Sequence, residues 1–477
     1  MRNILLTPGL LLLAACTVGP DYDGPPAVNS ANAEQGFVRE ETGTVRAEPT
    51  LARWWESLGD PVLDALEQRA LAGNPDLAMA QARLAEARAS LGEVRADRNP
   101  SLSAMGVAAH LRVPDIGDNG ENAEADNGSD TNSSNIYNLG LNASWEVDLF
   151  GGHRRQVEAA EANIGAAEAN LADAQVSLTS AIAQAYLNLR DRRERIILAE
   201  QAVEHRASLL EMERQRFEQG VVSRPSVDQA ESRLASARSD LAPLRAEADS
   251  FLNALAILVG EVPGSVDGML AQHAPVPLPP AEIAIGDPAG LLARRPDIRA
   301  AERQLAASYA NLGVAKAAGL PRLSFFGILG IGGTELSDLT QLDDFTAIAA
   351  PMLQWNFLDF GRNRARVGQA EARQDAAEAQ YRSTVLGALR DVEDALSSFR
   401  YRRQAVAELA RAEASAARIV DHARQRYELG AASRRELLDT ELAHNAATSQ
   451  LSAARAALTL DFIAIEKALG LGWQADS

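Results

Sequence analysis

Three kinds of residue in this chain invite a chemical reading: a lone cysteine, a spaced pair of carboxylates and a scatter of histidines. Glu436 and Asp439 stand three positions apart, and two carboxyl groups can share the acid and base work of glycoside hydrolysis. This pair opens a long helical stretch with no cleft around it, which argues against that use. The six histidines, His153, His205 and His444 among them, lack the spacing that ligates a metal. HExxH and GxSxG are both missing from the sequence. Gly327, Gly330, Gly332 and Gly333 follow an apolar run without the lysine of a phosphate-binding loop, so they read as strand and turn glycines. The expectation is a protein with no catalytic centre, no metal and no soluble cofactor. A formal net charge of -19 also disfavours a nucleic-acid partner, whose phosphates need basic patches.

The one cysteine, Cys16, rules out a disulfide within the chain. Its position says more than its number. Arg2, a largely apolar run from Ile4 to Leu13 and the small residues Ala14-Ala15 precede it, the pattern of a secretory signal peptide covering residues 1–15. A cut just before Cys16 resembles the bacterial lipoprotein signal. That would imply a thiol carrying diacylglycerol and an amine carrying a further acyl chain such as palmitate. The alternative is an ordinary signal peptide with an incidental cysteine. Thr17 follows, not the aspartate of an inner-membrane retention signal, so the outer membrane is the expected destination. Beyond the signal no run approaches the roughly 18 apolar residues of a membrane-spanning helix. Any crossing must then be made by strands in a closed barrel.

The elements that would position these residues are written twice. Asn74-Pro75-Asp76-Leu77 returns as Arg295-Pro296-Asp297-Ile298 at an offset of 221 residues. Trp145 to Gly151 returns as Trp355 to Gly361, and Arg214 to Gly220 as Arg424 to Gly430, at an offset of 210. Each half reads helix, strand, loop, strand, very long helix, turn, helix, too long a unit for a solenoid of short repeats. The long helices, about 152–219 and 362–429, lack proline; at 1.5 Å per residue each would extend roughly 100 Å. Val157, Ile164, Leu171 and Leu178 recur every seven residues, with Ala160, Ala167, Ala174 and Ala181 three places later, a heptad seam that lets helices approach closely. Aromatics make up only 5% of the chain, which fits packing through small side chains. Pro243 should bend the partner helix in the first half.

Four segments predict strands: about 101–112, 136–150, 322–332 and 346–358. From Tyr137 to Leu149 apolar and polar residues alternate, with Asn138, Asn142, Ser144, Glu146 and Asp148 on one face. Such alternation suits a barrel with lipid outside and water inside, and also a half-buried soluble strand. Pro351 is awkward for a paired interior strand. Asp115 to Asn135, rich in Asp, Asn, Gly and Ser, reads as a solvated loop. Four strands cannot close a barrel, for which about eight is the minimum. Two copies would supply eight strands and three would supply twelve; only the larger barrel leaves an open channel, so transport favours three.

These residues together resemble a known family. Trp54-Trp55-Glu56-Ser57-Leu58-Gly59-Asp60-Pro61, Arg294-Arg295-Pro296-Asp297-Ile298, the paired halves and the two Gly turns are similar to the TolC-type outer-membrane factors. The lipoprotein signal with Val18-Gly19-Pro20-Asp21-Tyr22 is similar to their OprM/NodT-like lipoprotein branch. The resemblance implies a mainly α fold with a membrane β-barrel: a homotrimer with a 12-stranded barrel and a helical periplasmic tunnel. The implied division is a signal peptide (1–15), an N-terminal anchor and equatorial segment (16–73), a first repeat (74–259), an equatorial linker (260–294), a second repeat (295–469) and a tail (470–477). The implied function is passive conduction of drugs or other small molecules to the exterior in a tripartite efflux system. Its partners would be a periplasmic membrane-fusion adaptor, an inner-membrane RND transporter and outer-membrane lipid. The hairpin tips, 220–224 and 430–433, would close the tunnel and meet the adaptor through Gly220, Ser223, Gly430 and Ser433, with each serine capping the helix that follows. Glu436 and Asp439 fall six and nine residues after the second glycine, where the family's aperture carboxylates lie. A lock used by some relatives is missing, because Ser226 and Ala432 occupy its positions; Arg434, Arg435 and Asp228 are the candidates for another. Two rival readings are a lipid-anchored periplasmic coiled-coil adaptor and the same fold serving type I protein secretion.

Overall fold

The computed structural model describes residues 17–27, 36–39, 44–45, 47, 49, 52–113, 132–341, 343 and 345–473. The signal segment 1–15, Cys16, most of the Asp115–Asn135 loop and residues 474–477 lie outside the described residues. In chain order the elements are β1 (Thr44–Val45), α1 (Pro61–Gly73), α2 (Pro75–Ala96), β2 (Ser101–Val113), β3 (Asn132–Val147), α3 (Gly152–Glu218), α4 (Arg224–Leu258) and α5 (Asp267–Leu270). There follow β4 (Ile283–Ala284), α6 (Pro288–Arg294), α7 (Pro296–Ala317), β5 (Arg322–Gly333), β6 (Phe345–Gln354), α8 (Arg362–Glu428) and α9 (Arg434–Ala468). The fold is mostly helical. Helices α3 and α8 each have 67 residues and α4 and α9 each have 35. Among the described residues no helix is long and apolar enough to cross a membrane.

Two compact units share the chain, and α2, α3, α7 and α8 contribute to both. The first holds residues 1–25, 86–164 and 303–379. Its centre is an antiparallel sheet in the order β2-β3-β5-β6. Strand β3 ends at Val147, before the expected Phe150. The Asp148 carboxylate accepts from the backbone N–H of His153 (3.1 Å) and Arg154 (2.8 Å), and this capping, with Gly151 at φ 77°, turns the chain into α3. Strand β6 ends at Gln354 for the same reason: Asp359 accepts from the N–H groups of Gly361 (3.0 Å) and Asn363 (2.7 Å). The strand runs through Pro351, which pairs with Phe325. β6 is an outer strand of this sheet, so within one chain only one of its edges is paired.

The second unit holds residues 26–85, 165–302 and 380–477. Asp60 starts α1 by accepting from the N–H of Val62 (2.9 Å), ahead of Pro61, whose fixed φ suits a first turn. The Tyr186 hydroxyl donates to the other Asp60 oxygen (2.6 Å) and accepts from Arg190 Nε (2.8 Å). This pins the start of α1 to the middle of α3. Asn74 begins α2 by accepting from Asp76 and Leu77. Trp54 stacks edge-on against Phe462 at 6.0 Å, inside a core that also takes Leu63, Leu66, Ile182, Leu255 and Ile463, all buried. A short parallel pair, β1 with β4, is the other sheet among the described residues.

One helical expectation changes. On α3 the expected seam is only partly covered: Val157, Ala160 and Leu178 are buried, whereas Ile164, Leu171 and Ala167 are half-buried. A second heptad row, Ala162, Ala169, Val176 and Ala183, is buried throughout. Both rows carry alanine, whose small side chain permits close helix approach. Helix α4 runs through Pro243 to Leu258 without a break.

The core of the second unit also contains two carboxyl groups. Glu67 is fully buried, and neither of its oxygens has a hydrogen-bond partner among the described residues. Burial, then the nearby Asp64 charge, pushes its carboxyl well above the usual range. Burial alone pushes Glu466 up to about 8. The folded chain therefore keeps the Glu466 proton up to about pH 8, whereas the unfolded chain loses it near 4.5. Stability is greatest below the lower value and falls as pH rises through that window, by at most about 1.4 kcal/mol per pH unit. Glu466→Gln should flatten this slope. In thermal unfolding of the protein in detergent between pH 5 and 8.5, the variant's midpoint should exceed that of the native chain by a margin that grows with pH. Parallel curves would rule out Glu466 as the source.

Candidate functional site: the hairpin turns and the open sheet

The turn between α3 and α4 is closed by two backbone bonds: Gly220 N–H to the Phe217 carbonyl (2.9 Å) and Val221 N–H to the Arg216 carbonyl (2.8 Å). The turn between α8 and α9 repeats them, Gly430 to Tyr427 (3.0 Å) and Ala431 to Arg426 (2.7 Å). Both glycines have φ 70°, the left-handed conformation this helix ending requires. Beside them Val221 is 60% and Leu429 83% exposed, an apolar tip on each turn.

The two serines differ. Ser433 caps α9, its hydroxyl oxygen accepting from Glu436 N–H (3.2 Å). Ser223 makes no such side-chain bond, contrary to expectation. Pro225 removes one of the N–H groups it would serve, and Ser226 N–H donates instead to the Ser223 carbonyl (3.1 Å).

The two aperture candidates on α9 are also unequal. Glu436 accepts from Arg426 Nη1 at 2.6 Å, and Arg426 also donates to the Ala431 carbonyl (3.2 Å). That arginine therefore ties the carboxylate to its own turn. Asp439 is 54% exposed, with Arg435 Nε at 3.8 Å. Of the alternative lock, Asp228 pairs within its own helix with Arg224 (2.9 Å), and Arg435 donates to Glu213.

Glu213 is the residue that pattern reading missed. It is 3% exposed and takes both Arg435 and Arg216, the latter at 3.4 Å. A cavity of about 170 Å³ beside it is lined by Arg206, Arg233 and Asp439 among others. The signal was present: 210 positions on stands Ala423, so the first hairpin has an acid where the second has a methyl group. Further along α9, Glu441 faces His205 (3.2 Å) and Arg424 (3.3 Å), and His444 faces Glu413 (2.9 Å). These histidines serve helix-to-helix pairing with one carboxylate each.

The sheet has one strongly apolar face. Leu139, Leu141 and Trp145 of β3 lie opposite Ile331, Leu329 and Phe325 of β5, and Trp145 stacks on Phe325 with ring centroids 6.0 Å apart. Leu139, Leu141, Trp145, Phe325 and Leu329 are all exposed in the single chain. The opposite face has Asn138, Asn142 and Ser144 on β3, joined by Phe326 and Ile328 of β5. It is more mixed than β3 alone suggests.

The outer membrane efflux protein model matches residues 66–261 and 288–471. The chain belongs to that family. It is 32% identical to the pyoverdine export outer membrane protein OpmQ of Pseudomonas aeruginosa, across 100% of this chain and 98% of OpmQ. It is 28% identical to nodulation protein T of Rhizobium leguminosarum bv. trifolii, across 94% and 92%. The solved outer-membrane channel OprN superposes with a TM-score of 0.82 at 34% identity, covering 96% of this chain and all of that one. The chain is thus an OprM/NodT-like outer-membrane efflux factor.

Within this efflux factor Arg435→Ala would leave Glu213 buried with only the longer Arg216 contact. An unsatisfied buried acceptor costs about 1–3 kcal/mol. Hydrogen exchange over residues 431–440 should accelerate at least about tenfold while strands 132–147 keep their protection. Unchanged exchange at 431–440 would show that the pair contributes nothing to holding α9.

Proposed function

We propose that three copies of this chain form a passive outer-membrane duct of a tripartite RND-type efflux system. The observation that carries the proposal is the open sheet. Strands β2 and β6 are its outer members, and an isolated edge in hydrocarbon leaves backbone groups without partners. The order β2-β3-β5-β6 alternates direction, so β6 of one copy meets β2 of the next antiparallel, and the pattern closes with any number of copies. Three copies give twelve strands and a barrel wide enough for a channel. The face bearing Leu139, Leu141 and Trp145 then meets lipid, and the face bearing Asn138 and Asn142 meets water. The sequence repeat supports the reading, since each half supplies one hairpin of strands and one pair of long helices.

In this reading Cys16 carries the acyl chains that tether the trimer. The turns at Gly220 and Gly430 face the periplasm, where the exposed Val221 and Leu429 suit a membrane-fusion adaptor that links the duct to the inner-membrane pump. Asp439, the more exposed of the two carboxylates, forms a ring of three at the aperture. Glu436 holds the turn through Arg426 and adds less net charge. Such a ring attracts cations and resists anions.

Electron microscopy of the protein purified in detergent tests the assembly. A threefold particle with a hollow barrel is expected; a slender particle without one overturns the duct. Two substitutions test its parts. Leu141→Arg should lower the yield of assembled protein, because a cation on the lipid face costs about 2–4 kcal/mol near mid-membrane, whereas Asn142→Arg should assemble. Equal yields would refute the assignment of faces. Asp439→Ala should raise single-channel conductance in a planar bilayer and reduce cation preference; unchanged conductance and selectivity would remove Asp439 from the aperture.

A further inference from the structure

The segment just after Cys16 is held in a way that neither the barrel nor the aperture requires. Arg155, near the start of α3, is 4% exposed. A cation so deeply buried must be surrounded by acceptors, and several of these belong to the N-terminal segment. Its guanidinium donates to the carbonyls of Val18 (3.4 Å) and Gly19 (3.3 Å) and to the Asp21 carboxylate (2.6 Å); Glu158 completes the set at 2.7 Å. Val18 N–H donates to the Phe150 carbonyl (3.0 Å).

The slot around this backbone is lined by glycine. A Cβ on Gly151 would stand 2.7 Å from the Thr17 side chain. One on Gly19, whose φ is 104°, would stand 2.6 Å from the Gly313 Cα, and one on Gly313 would stand 2.8 Å from the Arg155 side chain. Each distance is below van der Waals contact: a side chain at Gly151 or Gly19 would obstruct the segment, and one at Gly313 would displace the arginine that holds it. Tyr22 closes the far end, edge-on to Tyr309 at 5.4 Å.

The slot lies at the helix side of the sheet. Phe150 follows Trp145 by five residues, and Trp145 Nε1 donates to the Arg98 carbonyl (3.0 Å). Trp355 Nε1 donates to the Gly319 carbonyl in the same manner (3.2 Å). Tryptophans with a bonded N–H and an exposed ring are typical of the membrane–water boundary.

We propose that Arg155, with the glycine slot of Gly151 and Gly313, is an anchor clasp: a positioning site that holds residues 17–22 at the tryptophan rim of the sheet. Where Cys16 is acylated, a single peptide unit of about 3.8 Å separates it from the clasped chain, so the lipid leaves the fold at one defined place. The clasp rests on the acylation reading for its purpose and not for its geometry.

Hydrogen exchange read by mass spectrometry on the full protein in detergent tests it, with the N-terminal peptide weighed in the same run. In the native protein residues 17–22 should be protected. Arg155→Ala and Gly313→Ala should each speed exchange there at least about tenfold while residues 101–113 and 132–147 stay protected, and Arg155→Lys should recover part of the loss. Should Arg155→Ala lose the strands as well, Gly313→Ala and Tyr22→Ala decide. Protection at 17–22 that survives those substitutions, or is missing in the native protein, overturns the clasp. An N-terminal peptide without acyl mass but with intact protection overturns the acylation reading and leaves the clasp standing.

Discussion

A sheet of four strands ends in two rows of backbone N–H and C=O groups, and in hydrocarbon neither row can be left to water. Much of this molecule's organisation follows from that constraint. The strands are too few to close on themselves, and in the proposed assembly the outer strands β2 and β6 are satisfied by other copies of the chain. The apolar residues that the single chain exposes, Leu141, Trp145, Phe325 and Leu329 among them, are then what a lipid-facing surface requires. A soluble protein with the same exposed face would aggregate.

The helices answer a different demand. Seven-residue rows of alanine and valine on α3 are buried, and such small side chains permit close helix approach and leave little room for a conventional core. Large residues concentrate instead where the N-terminal segment meets α3 and α9 in the second unit, around Trp54, Tyr186 and Phe462. There the Asp60–Tyr186–Arg190 chain of bonds fixes α1 to α3, and burial raises the carboxyl pKa of Glu67 and Glu466.

Much of this was legible in the residues. Proline-free stretches marked the long helices, period-two alternation marked β3, and Gly220 and Gly430 marked the turns. The end of β3 was not legible, because Asp148 reads as part of an alternating run until its carboxylate is seen to cap the following helix. Glu213 was missed because a charged residue on a long helix normally faces solvent, and only its partners across the bundle reveal otherwise.

The two hairpins show how a duplicated design acquires a direction. Their backbones close with the same bonds at Gly220 and Gly430, but their side chains have diverged. The second carries Glu436 and Asp439 where the first carries Ser226 and Gln229. The first carries Glu213 where the second carries Ala423. Through Arg435 the buried acid on α3 grips the helix bearing the exposed one. In the proposed trimer a ring of like charges would push its members apart, and a carboxylate ring is useful only if its helices are held against that repulsion. An acid buried in one hairpin and paired with an arginine of the other supplies such a hold within a single chain.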